Sequence, residues 1–191
     1  AWYYYGAGGG THLPSTIENN VFEDNDAAMV FAMDTDMAYP AHVIRDNSFV
    51  NNGLALRATG AFAATLDASG NWWDSTDAAT VAGVIDGAVD YTPWLGSGSD
   101  TSGDPGFQGD YSTLYVDDNS AQSGSIGRIQ EGVNLVSGST LHVAAGSYPA
   151  RVVVNKSIDM RGAQYGVDPT AAGARTDPAA ESVIDISGLS P

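Results

Sequence analysis

Apolar residues in the first seventy-five positions come in short bursts, and the bursts repeat. Ile17-Glu18-Asn19-Asn20-Val21-Phe22-Glu23-Asp24-Asn25 and Ile44-Arg45-Asp46-Asn47-Ser48-Phe49-Val50-Asn51-Asn52 share the frame Ile-x-x-Asn-x-Phe-x-x-Asn, 27 residues apart. A third, degenerate copy runs from Leu66 through Asn71 to Trp73, with Asn71 lying 24 residues after Asn47. Spacings of two and three suit strands, whereas helical repeats need a 3.6-residue period. A period in the twenties, made of short apolar strands and Asn/Gly turns, marks a solenoid. Leucine-rich repeats share the period but need a leucine lattice that this chain lacks. The frame therefore predicts an all-β chain folded as a parallel β-helix, since one coil of three short strands uses about this many residues. Ile17 with Ile44 and Phe22 with Phe49 would stack as inward columns. Asn20 with Asn47 and Asn25 with Asn52 would occupy equivalent turns, where Asn tolerates left-handed backbone and forms side-chain ladders.

The second half carries the theme with a different opening. Tyr111-Ser112-Thr113-Leu114-Tyr115-Val116 alternates as a strand and stops at Asp117-Asp118-Asn119. Ile126, Ile129, Val133 and Val136 then line one face of a short capping helix near 125–136, with Ser125 as its N-cap and Gly138 past its end. Leu141–Val143, Arg151–Val154, Ser157–Met160 and Ser182–Ile186 read as strands. Gly146–Pro149, Asn155-Lys156 and Arg161–Ala163 read as turns, and residues 163–181 as a surface loop.

Several of these segments resemble one family. Tyr115–Asp118, Ile129–Val133, Leu141–Tyr148 and Val154–Gly162 are similar to the opening of pectin-lyase-like, right-handed parallel β-helix proteins, particularly secreted bacterial and archaeal members built from carbohydrate-binding/sugar-hydrolase repeats. Asn71-Trp72-Trp73-Asp74 and Asp90-Tyr91-Thr92-Pro93-Trp94-Leu95 look like the closing segment of the same family. The resemblance implies a right-handed β-helix and a secreted, cell-surface setting, and says little about activity. Its order is inverted, because closing motifs precede opening ones. Residues 1–95 thus read as the closing half of one β-helix, 96–107 as a Gly/Ser/Asp linker, and 108–191 as the opening half of another, with its cap helix. Each half would leave an end uncovered. Head-to-tail stacking of the 108–191 half of one unit on the 1–95 half of the next would cover both, and such a contact propagates as a filament or tandem array. Trp72, Trp73, Trp94, Ile126, Ile129 and Val133 are the expected interface residues.

Composition narrows the rest. The chain has 191 residues with 23 acidic and 7 basic side chains, a net charge of −16 and a pI near 4.1. Such a surface repels phosphate backbones and anionic lipid, which argues against nucleic-acid partners. No apolar run approaches the ~20 residues of a membrane span, so membrane insertion is not expected. Nineteen of the acids are Asp, a turn former, and there is no Cys for disulfide, thiolate or Cys-ligated metal chemistry. The chain starts at Ala1-Trp2 without Met or a signal pattern, which reads as processing or a fragment.

Candidate chemistry is sparse. Asp24, Asp26, Asp34, Asp36, Asp117 and Asp118 supply hard oxygen ligands suited to calcium, the one cofactor the sequence raises. None has EF-hand or Gly-Gly-x-Gly-x-Asp spacing, and solvated turn acids are the favoured reading of them. His12, His42 and His142 lack paired spacing for a transition metal. The Asp pairs match no polygalacturonase or pectate-lyase set, so no catalytic residue is assigned and the chain is not expected to be an enzyme; a polysaccharide lyase or hydrolase is the remote reading. Trp2-Tyr3-Tyr4-Tyr5, Trp72-Trp73 and Trp94 could stack on sugar rings of a polysaccharide or plug a core end. Gly6–Thr11 is a glycine-rich loop without the Lys of a phosphate loop, and Asn155-Lys156-Ser157 has the glycosylation pattern at a turn. The function expected is structural: a subunit or repeat of an extracellular fibre or surface array. A carbohydrate-binding or adhesion module of a large secreted protein is the alternative.

Overall fold

A computed structural model describes residues 2–6, 14–33, 42–59, 65–173 and 175–187. The described chain is mostly strand with few helices. The first half contains β1 (Trp2–Gly6), β2 (Thr16–Glu18), β3 (Val21–Glu23), β4 (Ala27–Met33), β5 (Val43–Arg45), β6 (Ser48–Val50), β7 (Leu54–Thr59) and β8 (Leu66–Asp67). Helix α1 (Ala78–Gly83), β9 (Ile85–Gly87), β10 (Val89–Asp90) and β11 (Trp94–Leu95) complete it. Strands of successive repeats lie side by side and parallel: β1-β4-β7-β9, β2-β5, β3-β6 and β8-β10.

The 27-residue frame sets the register. Ile17 lies opposite Ile44 and Phe22 opposite Phe49, and Ser48 bridges onward to Trp72. Phe22, Phe49 and Trp73 form one stacked column, with ring centroids 5.0 and 4.6 Å apart. Ile17, Ile44, Phe49, Met29, Phe31, Leu56 and Trp73 are buried in a common core. Each large apolar side chain of this kind contributes about 1.5–3 kcal/mol by leaving water.

Between the strands the backbone turns a corner, where ladder hydrogen bonds run out and buried amides need another partner. Asparagine supplies it. The Asn47 Oδ1 accepts from the backbone N–H and the Nδ2 of Asn20, at 3.1 and 3.0 Å. In turn the backbone N and Nδ2 of Asn47 donate to Asn71 Oδ1, at 2.9 and 3.0 Å, while Nδ2 also reaches the carbonyls of Ile17 and Arg45. A second ladder joins Asn25 to Asn52 in the same way. The left-handed residues are not the ladder asparagines, as the sequence suggested, but those just before them: Asn19, Asp24, Asp46 and Asn51, with φ of 49–61°, and Gly70 at 74°. That turn aims the following Asn side chain inward, along the stack.

The second half contains β12 (Thr113–Val116), α2 (Arg128–Leu135), β13 (Thr140–Val143), β14 (Gly146–Tyr148), β15 (Asp159–Arg161), a 3-10 turn (Pro178–Ala180) and β16 (Ser182–Ile184). β12-β13-β15 and β14-β16 are parallel, with Thr113 opposite Thr140. Leu114, Val116, Ile129, Val133, Leu141 and Tyr148 form its core.

The sequence reading needs five corrections. Helix α1 was not anticipated; Asp77 caps it by accepting from the Thr80 N–H and hydroxyl. The cap helix α2 starts three residues later than expected, at an N-cap Gly127 that offers no side-chain bond, so Ile126 lies outside it and Ser125 caps nothing. Gly146–Tyr148 is a strand, not a turn, because the Asp118 carboxylate takes the Ser147 N–H and occupies the space a Cβ on Gly146 would need. Arg151–Val154 does not form a strand, its Val153 N–H donating instead to Gln130 Oε1, and the strand expected at Ser157–Met160 is shifted to Asp159–Arg161. Asp34, Asp36, His12 and the loop at 7–11 lie outside the described residues.

Replacing Asn47 by Ala strands several buried amides, so Asn47→Ala should lose about 2–4 kcal/mol of stability. Asn25→Ala, half-buried at the start of its ladder, should lose less, about 1 kcal/mol. Urea unfolding of both variants checks the ordering.

Candidate functional site

The two halves meet inside the chain, and that seam gathers most of the residues the sequence singled out. β11 pairs antiparallel with β12, setting Trp94 opposite Tyr115 and Leu95 opposite Leu114. Residues 96–112 fold back along the first half. Phe107 is buried; its N–H donates to the Asn19 carbonyl at 3.1 Å, and its carbonyl accepts from Asn19 Nδ2 at 2.8 Å. Gly106 makes this approach possible, at φ +91° and with the Asn19 oxygen where a Cβ would stand. The Gly109 N–H reaches Asp46, and the Tyr111 hydroxyl donates to the Gly70 carbonyl at 3.1 Å. Burial, with the Asp46 carboxylate beside it, pushes the Tyr111 phenol well above its usual range.

An aromatic column crosses the seam. Trp94 stacks on Tyr115 at 5.7 Å, and Tyr115 on His142 at 4.5 Å with the rings 10° from parallel. Burial and Arg161 hold the His142 imidazole below its ordinary value. A cleft of about 400 Å³ runs beside this column, whose rings lie face to face with one another. Arg161 covers the Tyr165 ring at 4.6 Å.

A polar cluster lies next to these rings. Asp90, buried at the end of β10, accepts from the Ser123 N–H at 2.6 Å and from the Ser120 hydroxyl at 3.2 Å. Ser120 also accepts from the Tyr91 N–H, and its carbonyl takes a bond from Arg128. Gln122 Nε2 stands between two carboxylates, 3.4 Å from Asp90 Oδ2 and 3.0 Å from both oxygens of Glu131. Desolvation raises both acids, Asp90 above its usual range and Glu131 to about 7. Asp90 comes from the first half and Glu131 from α2 in the second, so the amide ties the halves together. A cleft of about 620 Å³ opens beside Gln122 and Arg128, with Ile126 and Arg151 on its wall.

Each expected interface residue now has a place. Trp73 is buried in the first core, Ile129 and Val133 in the second, and Trp94 under Tyr115. Trp72 packs against the second core with Gly98 on its indole. Ile126 is 47% exposed. Of these residues, Trp72 and Trp94 bring the two halves together within one chain, because a short fold-back holds them at high effective concentration.

Among the described residues, the calcium candidates are not brought together. Asp24 accepts from the Asn51 amide, Asp117 is buried and bonded to Asn119, and Asp118 is occupied by Ser147. Asp26 is exposed at the start of β4. Among the described residues no three acids or histidines form a metal-holding group. Asp90, Gln122 and Glu131 escaped the sequence reading because no spacing links positions 90, 122 and 131. Only the improbable burial of an Asp inside an apolar closing segment could have flagged the first.

No protein-family model, curated protein or solved structure matches the chain.

Trp94→Ala opens a cavity at the seam and should lose about 3–5 kcal/mol. Tyr111→Phe removes one partly buried hydrogen bond and should lose about 1 kcal/mol. Thermal and urea melts of the two variants measure both.

Proposed function

We propose that the chain is a structural repeat of an extracellular fibre or surface array, built from right-handed parallel β-helices of the pectin-lyase-like kind stacked end to end. The observation that carries this reading is the pattern of covered and open ends. Where a closing half meets an opening half, the core is sealed by Trp94, Tyr115 and Leu95. The outer coil formed by β15, β16 and the segment before them instead leaves apolar side chains in water: Val153 (64% exposed), Val154, Val183, Ile184 and Ile186. Apolar residues grouped at an open parallel edge invite another strand.

The two ends differ in what they present: the first frame carries Glu18, Glu23, Asp24 and Asp26, whereas the last coil exposes Val and Ile. A heterologous contact between unlike ends that does not close grows into a filament or continues as tandem repeats. The mechanism is mechanical: backbone ladders along the stack carry load, and the asparagine corners hold the coils in register.

Negative-stain electron microscopy and light scattering of the full chain test this, with and without EDTA for the calcium expectation. Rods or filaments longer than one unit are expected, shortened or lost in Ile184→Lys. Discrete monomers at every concentration, for parent and variant alike, would overturn the reading and move polysaccharide binding to the front.

A further inference from the structure

The Asp90–Gln122–Glu131 cluster does more than join two halves. We propose that the seam is a pH-operated joint, closed while Asp90 and Glu131 hold a proton between them and loosened when both are charged. This goes beyond the structural reading and stands on the single chain, whether or not molecules assemble.

The geometry sets the conflict. One amide nitrogen lies within hydrogen-bond distance of both carboxylates, and it carries only two protons for the three oxygens it faces there and the Ser123 carbonyl. Asp90 is buried and already committed to Ser123 and Ser120. Two carboxylates sharing one desolvated site do not both ionise readily. The surrounding charges sharpen the conflict. Asp67 on β8 adds a negative field to both acids, and Arg128 on α2 is the cation that opposes it at Glu131. Tyr91, next to Asp90, stands among Asp117, Asp118 and Arg128, and burial first, then those acids, drives its phenol up to about 12, so it stays neutral.

The direction of the response follows from linkage. Glu131 titrates near 7 when the seam is closed and near its ordinary value when the seam is open to water. A carboxyl raised in the closed state binds its proton more tightly there. Its contribution to closure is therefore complete below about pH 4.5 and is lost as the pH climbs through 7. Above that, closure carries two negative charges, one buried at Asp90 and one half-buried at Glu131. The strands that would feel this first are β11 and β12, whose antiparallel pairing crosses the seam, with the Gly96 N–H donating to the Thr113 carbonyl. Strands β4 and β7 lie in a different sheet from β10 and β11 and serve as an internal reference.

Hydrogen exchange of the full chain at pH 5.5 and 8.5, corrected for intrinsic rates and kept dilute, tests the joint. Protection of peptides spanning 93–97 and 111–116, relative to those of β4 and β7, should fall at least about tenfold at the higher pH, since each unit of differential pKa is a tenfold change. Glu131→Gln keeps the hydrogen-bond acceptor but holds no titrating proton, and should flatten the ratio to within about twofold. If Glu131→Gln does not fold, Asp90→Asn replaces it, and the transition should move to lower pH because one buried charge has gone. A pH-independent ratio in the parent overturns the proposal. So does a pH dependence that survives unchanged in whichever variant is measured.

Discussion

Everything in the first half depends on one interaction, the hydrogen bond from one asparagine to the next at the corner of each repeat. A chain that turns sharply between short strands leaves backbone amides with no strand to pair with, and burial makes that costly. The amide side chain answers twice, since its oxygen accepts from the preceding repeat while its nitrogen donates onward and to nearby carbonyls. Asn47, in the middle, does both while buried, and the register of the Ile and Phe columns is set by its position. A slip of one residue would break the ladder and turn Phe49 out of the core together.

The seam is a second constraint of a different kind. Stacked parallel strands always end in an open edge, and here the edge of one half is closed by the other through two residues of antiparallel pairing, a buried tryptophan and a fold-back. Burying that junction also buried Asp90 and brought Glu131 up beside it. The joint therefore contains a polar group whose preferred charge differs from that of the same residues in water, and its strength becomes a function of proton concentration. An array made of such units would be stiff along its ladders and adjustable at its joints.

The aromatic residues show how packing reassigns chemistry. Trp73 and Trp94 offer flat faces for sugar in the sequence, but one face of Trp73 is covered by Phe49 and Trp94 lies under Tyr115. Tyr115 and His142 likewise stack on each other. Stacked in this way, the rings serve as packing of the core and the seam.

How much could be read in advance varied with the range of the interaction. The repeat frame alone specified the parallel partners Ile17–Ile44 and Phe22–Phe49, both asparagine ladders and the third copy ending at Trp73, because a periodic sequence writes its own contacts at a fixed offset. Local signals did less well where a tertiary neighbour decided: Gly146–Tyr148 looks like a turn and is a strand because Asp118 anchors it, and Ser125 looks like a cap but stands outside α2. The linker composition of 96–107 is real, yet Phe107 within it is buried, since a Gly at 106 lets the backbone approach Asn19. Nothing in the linear order shows that Asp90, Gln122 and Glu131 meet. The sequence by itself determined the repeating strands and their register, through residue types recurring at one spacing. Only the tertiary structure decided which ends meet and which acids come to share the Gln122 amide, because those contacts join segments that no period relates.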